Sequence, residues 1–260
     1  MFAIAFMGVI MHELPMQQVQ AMVATVKKDV EENCFVVCNA NGLFSAASGL
    51  AKQIEMLFES GIELVFLGEQ AIARNAGRAF LCESTLPVLR PMNLGPGSPG
   101  VGAKLIEIGN DKIWFVSLTD LSPKAPVGLA HERLENFLGN KQDDFPVLIS
   151  VNGNDPDYKK SLFWRYSNFD FSIGIVGTGM NFRCGIPRID GKGNLFLADV
   201  GTVCTADSIA GIKPEVWWQK NIEKVPVPAV HGSAPLEVDC VRIFYENGKV
   251  VKVSQKNFVL

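Results

Sequence analysis

The stretch CFVVCNANG, residues 34–42, is a valine-rich apolar run that ends at an Asn-Gly pair. An amphipathic stretch, residues 16–32, precedes it, and a second helical stretch, residues 47–60, follows it and ends at Gly61. Short apolar runs bounded by turn residues indicate buried strands, whereas amphipathic stretches indicate helices. This part of the chain therefore predicts a helix, a strand and a helix in succession, as in an α/β protein.

The same alternation continues along the chain in both directions. Further buried strands are predicted at residues 1–11, 62–68, 86–91, 145–151 and 171–177. Further helices are predicted at residues 72–82, 129–138 and 214–223, and after Pro156. Strands separated by about 10–15 helical residues favour a largely parallel, buried sheet with helices outside it.

Three turn signals predict antiparallel hairpins in addition to the parallel units. They lie at Gly109–Asp111, Asp190–Gly191 and Asn247–Gly248, each between two apolar or alternating segments. Asn-Gly and Asp-Gly pairs favour the tight turns that join antiparallel strands. Parallel units and hairpins fit together in two packed mixed sheets between helical layers, so we expect an α/β fold. We expect residues 1–260 to form a single domain.

Composition narrows the classes of partner. The net charge is −3, and 20% of the residues are charged, so the sequence predicts no basic surface for nucleic acid. The apolar start, residues 1–11, lacks a basic lead-in and is too short to span a bilayer, so we interpret it as a buried strand and expect no membrane partner. No coiled-coil pattern demands self-association, which stays open.

The cysteines and the paired tryptophans fit a reduced, packed interior. The six cysteines contain no C-x-x-C pair, which favours reduced thiols and a cytoplasmic location. Cys34 and Cys38 would share one strand face, and core packing explains them better than metal binding. Trp217 and Trp218 predict a buried helix face, with a protein interface as the alternative.

Polar, glycine-containing segments follow most of the predicted strands. Ligands of open α/β sheets bind at the carboxyl ends of strands, so these segments predict a shared crevice. Gly and Asn also favour ordinary turns, which is the alternative explanation for each segment. The segments are MGVIMH (7–12), NANGLF (39–44), LGEQA (67–71), SVNGND (150–155), VGTGMN (176–181) and LADVGTVCTADS (197–208).

In order and spacing, these segments resemble the YmdB-like metallophosphoesterases, a branch of the calcineurin-like phosphoesterase superfamily. The local pieces RPMNLGPGSPG (90–100) and DVGTVCTADSIAG (199–211) are similar to family segments, and the likeness runs nearly end to end. The resemblance implies a four-layer α/β/β/α sandwich and a two-metal centre that hydrolyses phosphodiesters. It also implies a dimer or a larger homo-oligomer.

The positions that the resemblance assigns to metal ligands and to the proton-donating histidine hold other residue types here. Hydrocarbon side chains and glycine offer no ligand atom, and a neutral amide is a weak ligand beside a carboxylate or an imidazole. Of the chain's three histidines, His12 alone lies beside a strand end. The residues at these positions are Val9, Leu43, Phe44, Glu69, Gln70, Asn152, Gly179 and Asn181.

We therefore expect no metal, no cofactor and no catalysis, but a degenerate phosphoesterase fold that serves as a scaffold, a regulatory protein or a small-ligand binder. The alternative is a divergent metal-dependent phosphodiesterase or phosphatase, with a single divalent ion such as Mn²⁺ held by Glu69, Asp199 and amides. The vestigial crevice is expected to present Asn41, Glu69, Gln70, Arg90, Asn93, Asn152, Asn154, Thr178 and Asn181 to a ligand or a protein partner.

Other catalytic patterns have simpler explanations. The carboxylate pairs Asp155/Asp157 and Asp199/Asp207 suit acid–base chemistry, but NDPDY is typical of a helix start that Asp155 caps. Cys184-Gly185 lacks a nucleophile-elbow pattern, and the GTG at 177–179 lacks the dinucleotide fingerprint and the P-loop lysine.

Overall fold

The computed structural model describes residues 1–28, 30, 33–45, 49–95, 97–120, 128–180 and 183–260. Within them the chain forms two β-sheets that pack face to face, with helices on the outer face of each sheet. The expected four-layer α/β/β/α arrangement of mixed sheets is confirmed.

The first sheet contains seven strands in the order β13-β12-β11-β1-β2-β3-β4. Strand β1 lies parallel to β2 and β11, whereas β12 is antiparallel to both β1 and β11. The sheet ends on one side at β13, which pairs only with β12 among the described strands. Its strands are β1 (Phe2–Ile10), β2 (Cys34–Asn39), β3 (Leu64–Phe66), β4 (Val88–Leu89), β11 (Thr202–Thr205), β12 (Leu236–Glu246) and β13 (Lys249–Val259).

The second sheet contains six strands in the order β5-β6-β7-β8-β10-β9. Strands β6, β7, β8 and β10 run parallel, and β5 and β9 are antiparallel additions at the two edges. Its strands are β5 (Ala103–Ile108), β6 (Asp111–Thr119), β7 (Val147–Asn152), β8 (Ile173–Thr178), β9 (Arg188–Ile189) and β10 (Leu195–Leu197).

Helices cover the outer faces. Side chains of α1, α2 and α4 pack with the first sheet, and side chains of α5 and α6 pack with the second. The helices are α1 (Met16–Lys27), α2 (Leu50–Glu59), α3 (Gln70–Ala73), α4 (Asn75–Glu83), α5 (Ala130–Asn140), α6 (Pro156–Tyr166) and α7 (Pro214–Asn221), and a 3-10 turn spans Asn41–Ser45. None of the helices in the described ranges is both long and apolar enough to cross a membrane.

Strand β1 shows how the layers are assembled. Ile4 and Phe6 face the core between the sheets, whereas Ala5 and Met7 face the core under the helices. Successive side chains of a strand point to opposite faces, so an apolar strand in the middle of a sandwich is buried on both sides. The Phe6 ring stacks on Phe66 with centroids 5.3 Å apart.

Turn and cap chemistry explains the elements that the sequence predicted well. The hairpin β12–β13 turns at Asn247 and Gly248, whose φ angles are +50° and +75°. Two residues with positive φ are what a type I′ turn requires, and Asn-Gly accepts that conformation readily. Helix α6 begins as expected, because the Asp155 side chain accepts the Tyr158 N–H at 2.9 Å and Pro156 occupies the first turn.

Two helical predictions are corrected. The stretch 72–82 divides into α3 and α4, because Arg74 takes an extended conformation (φ −117°, ψ 140°) that ends one helix and starts the next. The prediction that Trp217 and Trp218 form a buried helix face is wrong: α7 has no buried residue, and Trp218 is 54% exposed. The helix predicted at 47–60 is seen from Leu50, and residues 46–48 lie outside the described residues.

All six cysteines have free thiols. Cys38 is buried in the core under the helices, and Cys34 packs against that core on the same strand. Burial raises the pKa of the Cys38 thiol well above its usual range. Both residues therefore pack as small apolar side chains, as the sequence predicted.

Candidate functional site

The carboxyl ends of the central strands meet at one edge of the sandwich. In the second sheet, Asn152 at the end of β7 lies between Thr119 of β6 and Thr178 of β8. In the first sheet, Asn39 at the end of β2 lies beside Val9 of β1 and Phe66 of β3. The polar strand ends that the sequence predicted to share a crevice are thus neighbours within each sheet. We call this edge the strand-end edge.

Two side-chain hydrogen bonds join the two sheets at the strand-end edge. Asn39 Nδ2 donates to Thr178 Oγ1 at 3.0 Å, and both residues are fully buried. Asn152 Nδ2 donates to Glu69 Oε2 at 2.9 Å. A buried hydrogen bond between neutral groups favours one relative placement of the sheets, because any other placement leaves the groups unsatisfied.

Asn41 extends this network along the first sheet. Its backbone N–H donates to Asn39 Oδ1 at 2.9 Å, and its side-chain oxygen accepts the Gly68 N–H at 3.1 Å. A Cβ atom at Gly68 would lie 2.6 Å from both the Asn41 Oδ1 and the Asn152 Nδ2 atoms. Glycine is therefore required at this position if the two carboxamides are to approach each other.

Glu69 accepts hydrogen bonds from two carboxamides. Its Oε1 atom accepts from Gln70 Nε2 at 3.2 Å, and its Oε2 atom accepts from Asn152. Gln70 in turn accepts from the Nε atom of Arg74 at 3.3 Å. The carboxylate that the sequence offers as a cation ligand is thus half-buried and hydrogen-bonded by neutral amides through both oxygens.

The second polar atom of Asn152 has no partner among the described residues. Asn152 is 5% exposed, and its Oδ1 atom is buried without a hydrogen bond. Gly179, at φ +92°, approaches this oxygen so closely that a Cβ atom there would lie 3.0 Å from it. A buried carbonyl oxygen without a donor is unusual and calls for a water molecule or a ligand.

Lys159 lies under the strand-end edge, and sequence reasoning missed it. Its side chain is fully buried, and Nζ donates to the carbonyl oxygens of Gly153 (2.7 Å), Thr178 (3.3 Å) and Ala198 (3.3 Å). Burial lowers the pKa of Lys159, and the negative charges of Asp199 and Asp120 oppose that shift. One ammonium group therefore holds the ends of β7, β8 and β10 together.

Asp199 holds the glycine-rich corner after β8 from the other side. Its Oδ2 atom accepts the Met180 N–H at 2.8 Å, and its Oδ1 atom accepts the Gly201 N–H at 2.7 Å. Burial raises the pKa of Asp199, although these hydrogen bonds and the charge of Lys159 act against the shift. The Asp199 carboxylate thus holds the backbone of this corner through two hydrogen bonds.

Asp120 is a further buried carboxylate at this edge, and sequence reasoning missed it. Its Oδ2 atom accepts the Asp155 N–H at 3.2 Å, and a Cβ atom at Gly153 (φ +145°) would collide with its carboxylate. Burial raises the pKa of Asp120. The signal available in the sequence was the Asn152-Gly153 pair, since a glycine at the end of a strand permits such a close approach.

Two of the histidines, far apart in sequence, meet beside the end of β1. The rings of His12 and His231 stack with centroids 5.3 Å apart, and His231 Nδ1 lies 2.9 Å from the Gly211 oxygen. The His12 Nδ1 atom is buried and has no partner among the described residues. Burial, followed by the neighbouring His231, lowers the pKa of His12. The nearly parallel rings, 18° apart, do not aim their nitrogens at a common metal.

Three of the predicted crevice residues have side chains that do not join this network. Arg90 donates to the carbonyl oxygens of Pro91, Ser98 and Pro99, which closes the loop that follows it. The Asn93 side chain is buried and bonds the backbone of Thr119 and Gly128. Asn154 is exposed, and Asn181 lies outside the described residues. Whether any of them contacts a ligand stays a prediction.

Comparisons with known proteins agree with this architecture. The family model described as YmdB-like protein matches residues 5–255. The chain belongs to the YmdB-like family. A curated relative, the 2',3'-cyclic-nucleotide 2'-phosphodiesterase of Bacillus subtilis (strain 168), is 21% identical over 256 residues, which are 97% of this chain and 95% of that protein. The resemblance that the strand-end segments indicated is thus confirmed.

Two solved structures share the fold. A hypothetical protein from Thermus thermophilus is 25% identical with a TM-score of 0.84 and 99% of both chains covered. A phosphatase from Mycoplasma pneumoniae is 18% identical with a TM-score of 0.85, covering 99% of this chain and 93% of that one. Both superpose over nearly their whole length, and the fold is that of a phosphoesterase.

The side chains at this edge do not fit a two-metal centre. Val9 and Leu43 are buried hydrocarbons, and Gly179 has no side chain. Within the described ranges, no group of three or more His, Cys, Asp or Glu residues is placed to hold a metal ion. A pair of divalent ions needs several anionic or imidazole ligands that converge, and the described side chains at this edge do not supply them.

Proposed function

We propose that this YmdB-like protein binds a small organic ligand at the strand-end edge and does not hydrolyse it. The observation that carries the proposal is the Asn152–Glu69 hydrogen bond of 2.9 Å. This bond places the neutral amide of Asn152 against Glu69, which is the carboxylate best placed to bind a cation. Amides bind ligands through hydrogen bonds but do not convert water into a nucleophile.

The relatives support a nucleotide-type ligand. The Bacillus subtilis relative is named for its action on 2',3'-cyclic nucleotides, and this chain aligns with nearly all of it. A fold that keeps its strand-end edge while changing the side chains there can keep a related ligand and lose the reaction. A scaffold or regulatory role would follow if ligand binding altered a protein partner.

A metal and activity measurement tests the proposal. The protein is purified in the presence of manganese, its metal content is measured by mass spectrometry, and hydrolysis of a nitrophenyl phosphodiester is followed with and without added Mn²⁺. We expect less than stoichiometric metal and no turnover above that of the Glu69→Gln variant. Glu55→Gln, at an exposed position of α2, is the matched control.

The second candidate is a divergent metal-dependent phosphodiesterase, which the end-to-end match to a phosphodiesterase favours. In that case Glu69 would hold a single ion after releasing its amide partners. Stoichiometric metal, with turnover that Glu69→Gln abolishes and Glu55→Gln retains, would establish this candidate and refute the first. A cytoplasmic location, self-association, and the absence of nucleic-acid and membrane partners stay predictions from the sequence.

A further inference from the structure

We infer that the strand-end edge selects a ligand by its hydroxyl or amino hydrogens, as in a nucleoside with free vicinal hydroxyls, and disfavours the phosphorylated form. The inference rests on the proposed function, because it concerns what that same edge binds. The inferred ligand differs from those of the Bacillus subtilis phosphodiesterase and the Mycoplasma pneumoniae phosphatase, which are named for phosphate esters.

The orientation of the Asn152 carboxamide is fixed. Nδ2 lies 2.9 Å from Glu69 Oε2, and a flipped amide would place two oxygens at that distance. An amide nitrogen beside a carboxylate is therefore the consistent assignment. It follows that the buried, unpartnered atom of Asn152 is an acceptor, and its partner must bring a hydrogen.

Several donors of the network already have an acceptor. Asn39 Nδ2 donates to Thr178, and Gln70 Nε2 donates to Glu69. Lys159 directs its ammonium group at three backbone carbonyls. At the Asn152 oxygen itself a ligand meets a lone pair, which hydroxyl and amino groups satisfy and unprotonated phosphate oxygens do not.

The negative charges near Asn152 also disfavour a phosphorylated ligand. The carboxylate of Glu69 is hydrogen-bonded to Asn152, and the Asp120 carboxylate lies against Gly153, the next residue. These two carboxylates would repel the negative charge of a phosphate brought to Asn152, because like charges repel at short range in a partly buried site. Two cations lie near this edge: Lys159 is fully buried and directs its ammonium group at backbone carbonyls, and Arg74 donates to the Gln70 side chain.

Gly179 leaves the approach to the Asn152 oxygen free of a side chain. A side chain at Gly179 would begin only 3.0 Å from Oδ1, so a residue other than glycine would crowd this oxygen. The corner that begins at Gly179 is held by Asp199 through Met180, so its backbone is positioned before a ligand arrives. Because Oδ1 is buried, the partner that suits it is a small donor such as a hydroxyl group.

Calorimetric titration of the full chain in EDTA with four probes tests the inference. The probes are adenosine, 2'-deoxyadenosine, adenosine 5'-monophosphate and 2',3'-cyclic adenosine monophosphate, which separate hydroxyl groups from phosphate charge. We expect adenosine to bind about tenfold more tightly than 2'-deoxyadenosine or the 2',3'-cyclic nucleotide, as the loss of one well-placed hydrogen bond would give.

Two variants localise the effect. Asn152→Leu removes the acceptor and should abolish the preference for adenosine, with Asn140→Ala on α5 as the exposed control. Glu69→Gln keeps an acceptor for Asn152 and removes the charge, so the ratio of 5'-monophosphate to adenosine affinity should rise several-fold. This second variant decides the matter if Asn152→Leu fails to fold.

Tighter binding of either nucleotide than of adenosine would overturn the inference, and loss of that binding in Arg74→Gln would identify a phosphate site instead. Such a result would leave the proposed function intact, provided the nucleotide is not hydrolysed. Failure of all four probes to bind would also overturn the inference, whereas non-hydrolytic function is decided separately by the metal and activity measurement.

Discussion

The core between the sheets is held together by apolar packing, whereas the strand-end edge is held together by hydrogen bonds. In the core, β1 contributes Phe6, which stacks on Phe66 without any polar contact, as in any well-packed sandwich. At the edge, the same sheet contributes Asn39, which hydrogen-bonds across to Thr178. Apolar packing tolerates a shift of the sheets better than directional hydrogen bonds do. The difference teaches that the fold depends on the core, whereas the relative placement of the strand ends depends on a few polar side chains.

The largest loss of stability is expected for a substitution of Lys159, which lies under the strand-end edge. Lys159→Met should lower the free energy of unfolding by about 3–5 kcal/mol, because three carbonyls lose their donor and the buried Asp199 loses a favourable positive charge. Urea denaturation followed by circular dichroism measures the change.

Lys160→Met is the matched control for this experiment, since Lys160 is exposed on the same helix. It should change stability by less than about 0.5 kcal/mol. Equal losses in the two variants would show that the helix, and not the ammonium group under the edge, is responsible.

A smaller loss of stability is expected when the Asn39–Thr178 hydrogen bond between the sheets is removed. Asn39→Leu should cost about 1–3 kcal/mol, because the Asn41 N–H and the Thr178 hydroxyl lose their partner in a buried place. The Thr178→Val variant removes the same bond from the other side, so a double-mutant cycle measures the coupling. Additive losses would contradict a direct contribution of the bond to stability.

The smallest effect concerns the pH dependence of stability at His12. The pKa of His12 is lowered from 6.5, so as the pH falls below about 6.5 the unfolded chain binds a proton before the folded chain does. Stability therefore decreases as the pH falls from about 6.5 towards the folded-state pKa of His12. Below that pKa, His12 causes no further loss.

Urea midpoints at pH 7.5 and pH 5 test this sign. His12→Gln should lose less stability on acidification than the unmodified chain. An equal or greater loss in His12→Gln would contradict the assignment.

Elements set by local chemistry were predictable from the sequence. The hairpin at Asn247–Gly248 and the cap at Asp155 require only a few adjacent residues, and both form as expected. The strand-end segments also met at one edge, because parallel strands of one sheet end on the same side. Periodicity, turn residues and caps report on neighbours in sequence, which is sufficient for these features.

Features set by distant contacts were not predictable. Lys159 stands in a helix segment, PDYKKSLFWRY, where it does not differ from the exposed Lys160 next to it. Its burial depends on carbonyls contributed by three other segments. Likewise, nothing within residues 214–221 tells whether Trp218 meets another element, and in the structure it is largely exposed.

The outermost strand of the first sheet, β13, spans eleven residues and pairs only with β12 among the described strands, although the Val250 N–H near its start donates to the Gly193 oxygen. A long sheet edge is a template for another polypeptide and so a hazard for aggregation. Lys249 and Lys252 are exposed on this strand. A second copy approaching edge to edge would bring like charges together, so these lysines help to keep separate molecules from joining their sheets.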